Sequence, residues 1–269
     1  MVVLDILSAF LTQVVAIFGV IIVFGFLIAL CNKLFYLNTG SLGIAVCYLT
    51  GFIGTPIHEL SHALFCVIFG HKIHEIKLFQ ISPEDGTLGY VRHSYSPKNI
   101  YQRVGCFFIG VAPILVISVL LFWLSKWLMP GLASMVFNGS SGIYENFGIG
   151  AFKTVGHNLI EMLKYYYNSP QTAGWWVFLI LSAFLALHMT LSGADIKSAW
   201  KGLPIILGML FAADIVLGLV SGAALSKFTG WCLVAGQFLI GFMSLALLIS
   251  LILALVTLVI GLIATSKSN

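Results

Sequence analysis

The residues with the clearest chemical capacity lie in the stretch 56–62, which reads Pro-Ile-His-Glu-Leu-Ser-His and contains the pattern HExxH. Two histidines four residues apart lie on one face of a helix, so the imidazoles of His58 and His62 can reach the same metal ion. Glu59 lies between them and can act as a general base on a water at that metal. The pattern therefore predicts half of a zinc hydrolase site, with His58 and His62 as ligands and Glu59 as the catalytic residue.

A third ligand has to come from elsewhere in the chain. Catalytic zinc usually takes three protein ligands and leaves a fourth position for water. Asp195, His188 and Asp214 are the candidates, because each lies within or beside a later apolar run, where ionisable side chains are costly and usually functional. His188 could instead steady the substrate or an oxyanion, and Asp214 could instead be a hydrogen-bonded partner of a neighbouring helix.

The elements that must position these residues are membrane helices. The chain has 269 residues, of which 60% are hydrophobic and only 8% are charged, and its mean hydropathy is +1.06. This composition excludes an ordinary soluble domain, in which about a quarter of the residues are charged. The predicted fold is an all-α polytopic membrane protein with about six transmembrane helices, each about 20 residues or longer. The predicted helices are 6–32, 41–70, 104–128, 173–194, 203–225 and 232–264.

A small β-hairpin is predicted directly after the helix that carries the HExxH. The stretch 72–79 alternates polar and apolar residues, 87–93 has the features of its partner strand, and 82–86 reads as the turn between them. The hairpin, 72–93, could offer an edge strand to an extended substrate peptide. The nearby His71, His74 and His93 are interpreted as polar-face residues that need no metal.

Two further segments have a predicted role. The third predicted helix contains Gly110 and Pro113, and small residues and proline at this depth favour close packing and local unwinding. The segment 130–172 is predicted to be an extracytoplasmic loop with an amphipathic helix, because apolar residues recur at near-helical spacing within it.

The charge pattern predicts an orientation. With about six spans, eight Lys and Arg residues fall on the side of the chain ends and five on the other side. This excess indicates cytoplasmic termini, so the net charge of +4 is attributed to membrane orientation and not to nucleic-acid binding. No cleavable signal peptide is expected, since 1–5 has no basic residue. The five cysteines imply no disulfide framework, and their spacing predicts no metal site.

The order of these features resembles the site-2 protease family of intramembrane zinc metalloproteases. The resemblance rests on HExxH in a spanning helix, a Gly-containing interfacial hairpin, and a spanning helix with small residues and Pro113. In that family the third ligand is an aspartate on the second spanning helix after the HExxH helix, which implies Asp195 here. The sequence departs from the family pattern beside Pro113, where Ala112 replaces a glycine, and around Asp195, which lies between Ala194 and Ile196. The resemblance also implies that Gly110 and Pro113 contact the substrate.

These observations predict an intramembrane zinc endopeptidase. Its substrate is expected to be a membrane protein, cut within or near a transmembrane segment, and its location is expected to be a bacterial cytoplasmic membrane. Two alternatives stay open: a catalytically inactive relative that binds membrane proteins, and an ion-relaying transporter whose buried His, Glu and Asp residues carry ions.

Overall fold

A computed structural model of the chain describes residues 2–39, 43–81, 87–140 and 149–266. Within these residues the fold is helical apart from one two-stranded antiparallel sheet, which confirms the predicted all-α polytopic class. The helices are α1 (Val2–Val14), α2 (Val20–Asn38), α3 (Gly43–Ile68), α4 (Ile100–Leu128), α5 (Pro130–Gly139), α6 (Ile149–Asn168), α7 (Ala173–Leu187), α8 (Gly193–Val220) and α9 (Gly222–Ser266). The strands are β1 (Lys72–Lys77) and β2 (Tyr90–Ser94).

Four of the described helical stretches are long and apolar enough to cross a membrane, fewer than the six spans expected. They are Val2–Asn38, in which a π-helical turn joins α1 to α2, Ile100–Leu128, Gly193–Val220 and Gly222–Ile263. The apolar helix α7 is shorter, with 15 residues. The HExxH helix α3 has 26 residues but is not among the four, because two histidines, a glutamate and a proline lower its hydropathy.

The boundary between α7 and α8 differs from the prediction. The helix predicted over 173–194 ends at Leu187, and the next helix begins at Gly193 instead of 203. Ser192 is the N-cap of α8 and forms a capping box with Asp195, which starts a new helix ten residues earlier than expected. Asp195 therefore lies in the first turn of α8 and not at the end of the preceding helix.

Two other segments also differ from the predicted bounds. The helix predicted over 232–264 is part of one continuous 45-residue helix, α9, that begins at Gly222. The region 130–172 contains two helices, α5 and α6, and 141–148 lies outside the described residues.

The hairpin follows α3 after a turn at Gly70, whose φ of 66° is left-handed and favours glycine. The strands β1 and β2 pair antiparallel, with an irregularity between Ile73 and Glu75. The predicted turn at 82–86 lies outside the described residues. Both strands contact α3, so the hairpin lies against the HExxH helix.

Helix α4 lies innermost among the long helices. In its most apolar stretch 67% of the residues are buried inside the protein, against 6% in α8 and 22% in α9. It contacts α3, α7, α8 and α9. Gly202 of α8 has no room for a side chain, because a Cβ there would lie 2.5 Å from the backbone nitrogen of Phe107. Helices α3 and α8 therefore both pack against α4.

Candidate metal centre

His58 and His62 lie on the same face of α3, and their Nε2 atoms are 3.2 Å apart. His62 is buried, with 6% of its surface exposed. Their ring centroids are 4.9 Å apart. Two Nε2 atoms this close can bind a single metal ion, because tetrahedral zinc with Zn–N bonds of about 2.0–2.1 Å separates its nitrogen ligands by about 3.3 Å.

The Nδ1 atoms of both histidines face backbone carbonyl oxygens on other helical segments. His58 Nδ1 lies 2.9 Å from the carbonyl oxygen of His188, and His62 Nδ1 lies 2.7 Å from that of Ile109. In neutral imidazoles these Nδ1–H groups donate to the carbonyls, which leaves each Nε2 with a lone pair for a metal. Such contacts fix the ring orientation of metal-binding histidines and raise their basicity.

Pro113 explains why the Ile109 carbonyl accepts this bond. In a helix the carbonyl of residue 109 would accept from the N–H of residue 113, but proline has no N–H. The proline inside α4 therefore frees the acceptor that orients His62. The predicted contact of Pro113 with substrate stays a prediction. In the structure Pro113 acts on His62 indirectly, through the Ile109 carbonyl.

Asp195 brings a carboxylate to the two histidines and is the candidate third ligand. Its Oδ1 is 3.3 Å from His62 Nε2, and its Oδ2 is 3.8 Å from His58 Nε2. The backbone N–H of Ser192 donates to Asp195 Oδ2 at 2.7 Å and so holds the carboxylate in place. One ligand atom from each of the three residues lies within 4.8 Å of the others. Two imidazoles and a carboxylate are a donor set that fits catalytic zinc with one position open.

Gly110 lets α8 approach closely enough for this arrangement. A Cβ at Gly110 would overlap the carbonyl oxygen of Asp195 and lie 2.6 Å from the backbone nitrogen of Ala199. Glycine at this position therefore allows the first turn of α8 to pack directly on α4. The predicted role of Gly110 in substrate binding likewise stays a prediction.

Glu59 is buried beside the ligands and lies under the hairpin. It is 7% exposed and interacts electrostatically with His58 and Asp195. A Cβ at Gly89, just before β2, would lie 2.8 Å from Glu59 Cγ and 2.8 Å from Thr55 Cγ2. The backbone of the hairpin therefore passes directly over the proposed base.

The two other candidate ligands do not join the cluster. The ring nitrogens of His188 lie 3.2 Å from Thr50 Oγ1 and 3.4 Å from Thr55 Oγ1, so His188 contributes its carbonyl oxygen to the centre through His58. Asp214 lies 19 residues after Asp195 on α8, roughly 28 Å along the helix. Its Oδ1 accepts a bond of 2.9 Å from the amide of Gln13.

Three residues that support the ligands were not identified from the sequence. They are Ile109 and Ser192, described above, and Asn32 of α2, whose amide donates to the carbonyl oxygens of Ala186 and Leu187 at 2.9 and 3.1 Å. Asn32 thereby fixes the end of α7 just before His188. The spacing from Ser192 to Asp195 is a capping-box signal, and Ile109 lies four residues before a helical proline; Asn32 has no local signal.

Comparison with known proteins supports the same chemistry. Residues 51–143 match the family model DUF3267, described as "Putative zincin peptidase". The matched segment contains the HExxH, the hairpin and α4, while Asp195 lies beyond it. No curated protein and no solved structure matches the chain significantly. The match supports a zinc metallopeptidase, and a zincin peptidase implies a zinc cofactor.

Proposed function

We propose that this protein is an intramembrane zinc endopeptidase of the site-2 protease type. The observation that carries the proposal is the convergence of His58, His62 and Asp195, from α3 and the first turn of α8, in a chain of long apolar helices. The zincin match supports a peptidase. It covers residues 51–143 and so does not include Asp195, which makes it a separate line of support.

Each site residue then has a distinct task. His58, His62 and Asp195 hold zinc, which when bound supplies a Lewis acid that polarises a carbonyl and lowers the pKa of water. Glu59 accepts a proton from the attacking water and later delivers it to the amine that leaves the cleaved peptide bond. Burial of Glu59 beneath Gly89 limits its contact with bulk water.

The position of the site supports cleavage near one membrane boundary. His62 lies six residues, or roughly 9 Å, before the end of α3, and Asp195 lies in the first turn of α8. The hairpin begins directly after α3 and lies on the same side. A substrate segment that unwinds near this boundary can reach the ligands without crossing the whole bilayer.

The proposed partners are a transmembrane protein substrate and the lipid bilayer, without nucleic acid. The hairpin supplies strand edges to which an unwound segment can add by backbone hydrogen bonds. Since a Cβ at Gly89 would lie 2.8 Å from Glu59 Cγ, a strand bound along β2 would lead toward the base. The proposed location is a bacterial cytoplasmic membrane with both termini in the cytoplasm. It is supported by the excess of basic residues on the side of the chain ends when α3 and α7 are counted as spans beside the four longer stretches.

A proteomic comparison tests this proposal. Membrane fractions of cells that produce the native chain are compared with those of cells that produce Glu59→Gln, and newly created peptide ends are mapped. We expect ends within or near transmembrane segments that occur only with the native chain. Identical sets of peptide ends in both samples would contradict the proposal.

A further inference from the structure

We propose a second zinc site, formed by Cys66, His71 and His93, that fastens the hairpin to the end of α3. One ligand atom from each of these residues lies within 4.8 Å of the others, as in the catalytic cluster. Cys66 and His71 are buried, with 0% and 5% of their surfaces exposed, so His71 does not lie on an exposed polar face as the sequence suggested. A thiolate and two imidazoles are donors that zinc prefers.

The two imidazole rings bring their Nδ1 atoms to the distance expected of two ligands of one zinc ion. His71 Nδ1 and His93 Nδ1 are 3.0 Å apart, close to the 3.2 Å between the Nε2 atoms of His58 and His62. Both separations are near the value of about 3.3 Å that tetrahedral zinc imposes on two nitrogen ligands. His74 is the remaining hairpin histidine, and its Nε2 instead contacts Ser94 Oγ at 2.7 Å.

The surroundings orient His71 for this role. Its Nε2 lies 2.7 Å from the carbonyl oxygen of Gln102, so a donated Nε2–H bond leaves the Nδ1 lone pair facing His93. The Gln102 side chain is itself fixed by bonds of 2.6 Å to the Gly70 carbonyl and 2.7 Å from the Ser96 N–H. Tyr95 stacks on the His71 ring, with 5.2 Å between centroids. A carbonyl bonded to the far nitrogen is the usual support of a metal-binding histidine.

The site lies one helical turn beyond the catalytic ligands. Cys66 follows His62 by four residues, so it lies on the same face of α3 and about 6 Å further along. His71 precedes β1 and His93 lies in β2, so one ion would join both strands to α3. A Cβ at Gly89, four residues before His93, would lie 2.8 Å from Glu59 Cγ, so the ion would also fix the hairpin over the base.

Metal analysis of the purified full-length chain tests the proposal. Elemental analysis is expected to give two zinc ions per chain for the native protein and one for Cys66→Ser and for His93→Ala. The matched controls are Cys31→Ser, another buried cysteine, and His74→Ala, the other hairpin histidine; both should keep two. His62→Ala should lose only the catalytic ion and keep the second. The proposed catalytic site and the proposed second site are therefore tested by different variants.

Cobalt replacement gives a readout specific to the second site. The catalytic cluster has no sulfur ligand, so a thiolate-to-cobalt charge-transfer absorption that is lost in Cys66→Ser reports the second site. We expect this absorption in the native chain, in His62→Ala and in Cys31→Ser, and its loss in Cys66→Ser. The native spectrum needs no variant to fold, and its lack of a thiolate band would overturn the proposal. One zinc per native chain, or copper in place of zinc, would equally overturn it.

Discussion

At the scale of single residues, the proposed metal centre depends on backbone carbonyls as much as on its three candidate ligands. The carbonyls of Ile109 and His188 accept from the Nδ1 atoms of His62 and His58 and so direct both Nε2 atoms to one point. Because Pro113 has no N–H, the Ile109 carbonyl accepts no helical bond from residue 113 that would compete with His62. Pro113 thus links the sequence of α4 to the orientation of a ligand on α3.

The first residue-level prediction concerns Pro113. Pro113→Ala restores an N–H that competes with His62 for the Ile109 carbonyl, and loss of such support typically lowers metal affinity by about 10–100-fold. Competition with a zinc chelator measures the affinity. Pro204→Ala is the matched control, because Pro204 also lies inside a helix, α8. An unchanged zinc affinity in Pro113→Ala would show that the freed carbonyl does not matter.

The second prediction identifies the third ligand. Asp195→Asn keeps an oxygen for the Ser192 N–H but removes the charge that favours zinc, so we expect one zinc ion fewer per chain. Asp214→Asn is the matched control on the same helix and should keep all zinc. If Asp214→Asn loses the ion and Asp195→Asn keeps it, the assignment is wrong.

At the scale of elements, the site depends on two packing contacts with α3. The hairpin lies over Glu59, and the end of α7 brings the His188 carbonyl to His58. The hairpin approaches through Gly89, which leaves no room for a side chain above Glu59 and Thr55. The end of α7 is fixed by Asn32 of α2, which bonds two of its last carbonyls. Both contacts involve residues that bind no metal.

Gly89→Ala is expected to lower peptidase activity by about a hundredfold while zinc stays bound, because the added methyl group must displace either the hairpin or the base. Turnover and zinc content are measured on the same preparation. Gly208→Ala is the control, since nothing lies within 4 Å of a Cβ there. Full activity in Gly89→Ala would contradict the placement of the hairpin over Glu59.

Asn32→Ala is expected to lower the free energy of unfolding by about 1–3 kcal/mol, because two buried carbonyls lose their donor. It should also weaken zinc binding, since His188 follows directly and orients His58. Thermal unfolding and chelator competition measure the two effects. The control is Gln237→Ala, which removes a similar amide-to-carbonyl bond at an exposed position. Equal effects of the two variants would argue against a special role of Asn32.

At the scale of the whole molecule, α4 is the helix on which the site is built. It is the most buried of the long helices and contacts both α3, which carries His58 and His62, and α8, which carries Asp195. Gly110 and Gly202 allow α8 to approach it closely. Few residues in the most apolar stretches of α8 and α9 are buried inside the protein, 6% and 22%, which leaves these helices available for contact with lipid.

The parts of this arrangement that could be predicted are local in the chain. The HExxH spacing, the hairpin alternation and the apolar runs each depend on neighbouring residues. The early start of α8 is not predicted from the sequence. The polar cap from Ser192 to Asp195 follows closely on a long apolar run, which favours one helix that continues to residue 194. Asn32 lies 154 residues from its partner Ala186, and Cys66 lies 27 residues from His93. Such pairs are created by tertiary packing, and no local pattern indicates them.

The most direct test of the central claim is cleavage by the purified chain in lipid vesicles of a model transmembrane substrate. The native protein is compared with Glu59→Gln, and zinc is measured in both. We predict that Glu59→Gln keeps its zinc but cleaves at least about a hundredfold more slowly, because the base is lost while the ligands remain. Equal cleavage by both proteins, or a native chain that contains no zinc, would contradict the account.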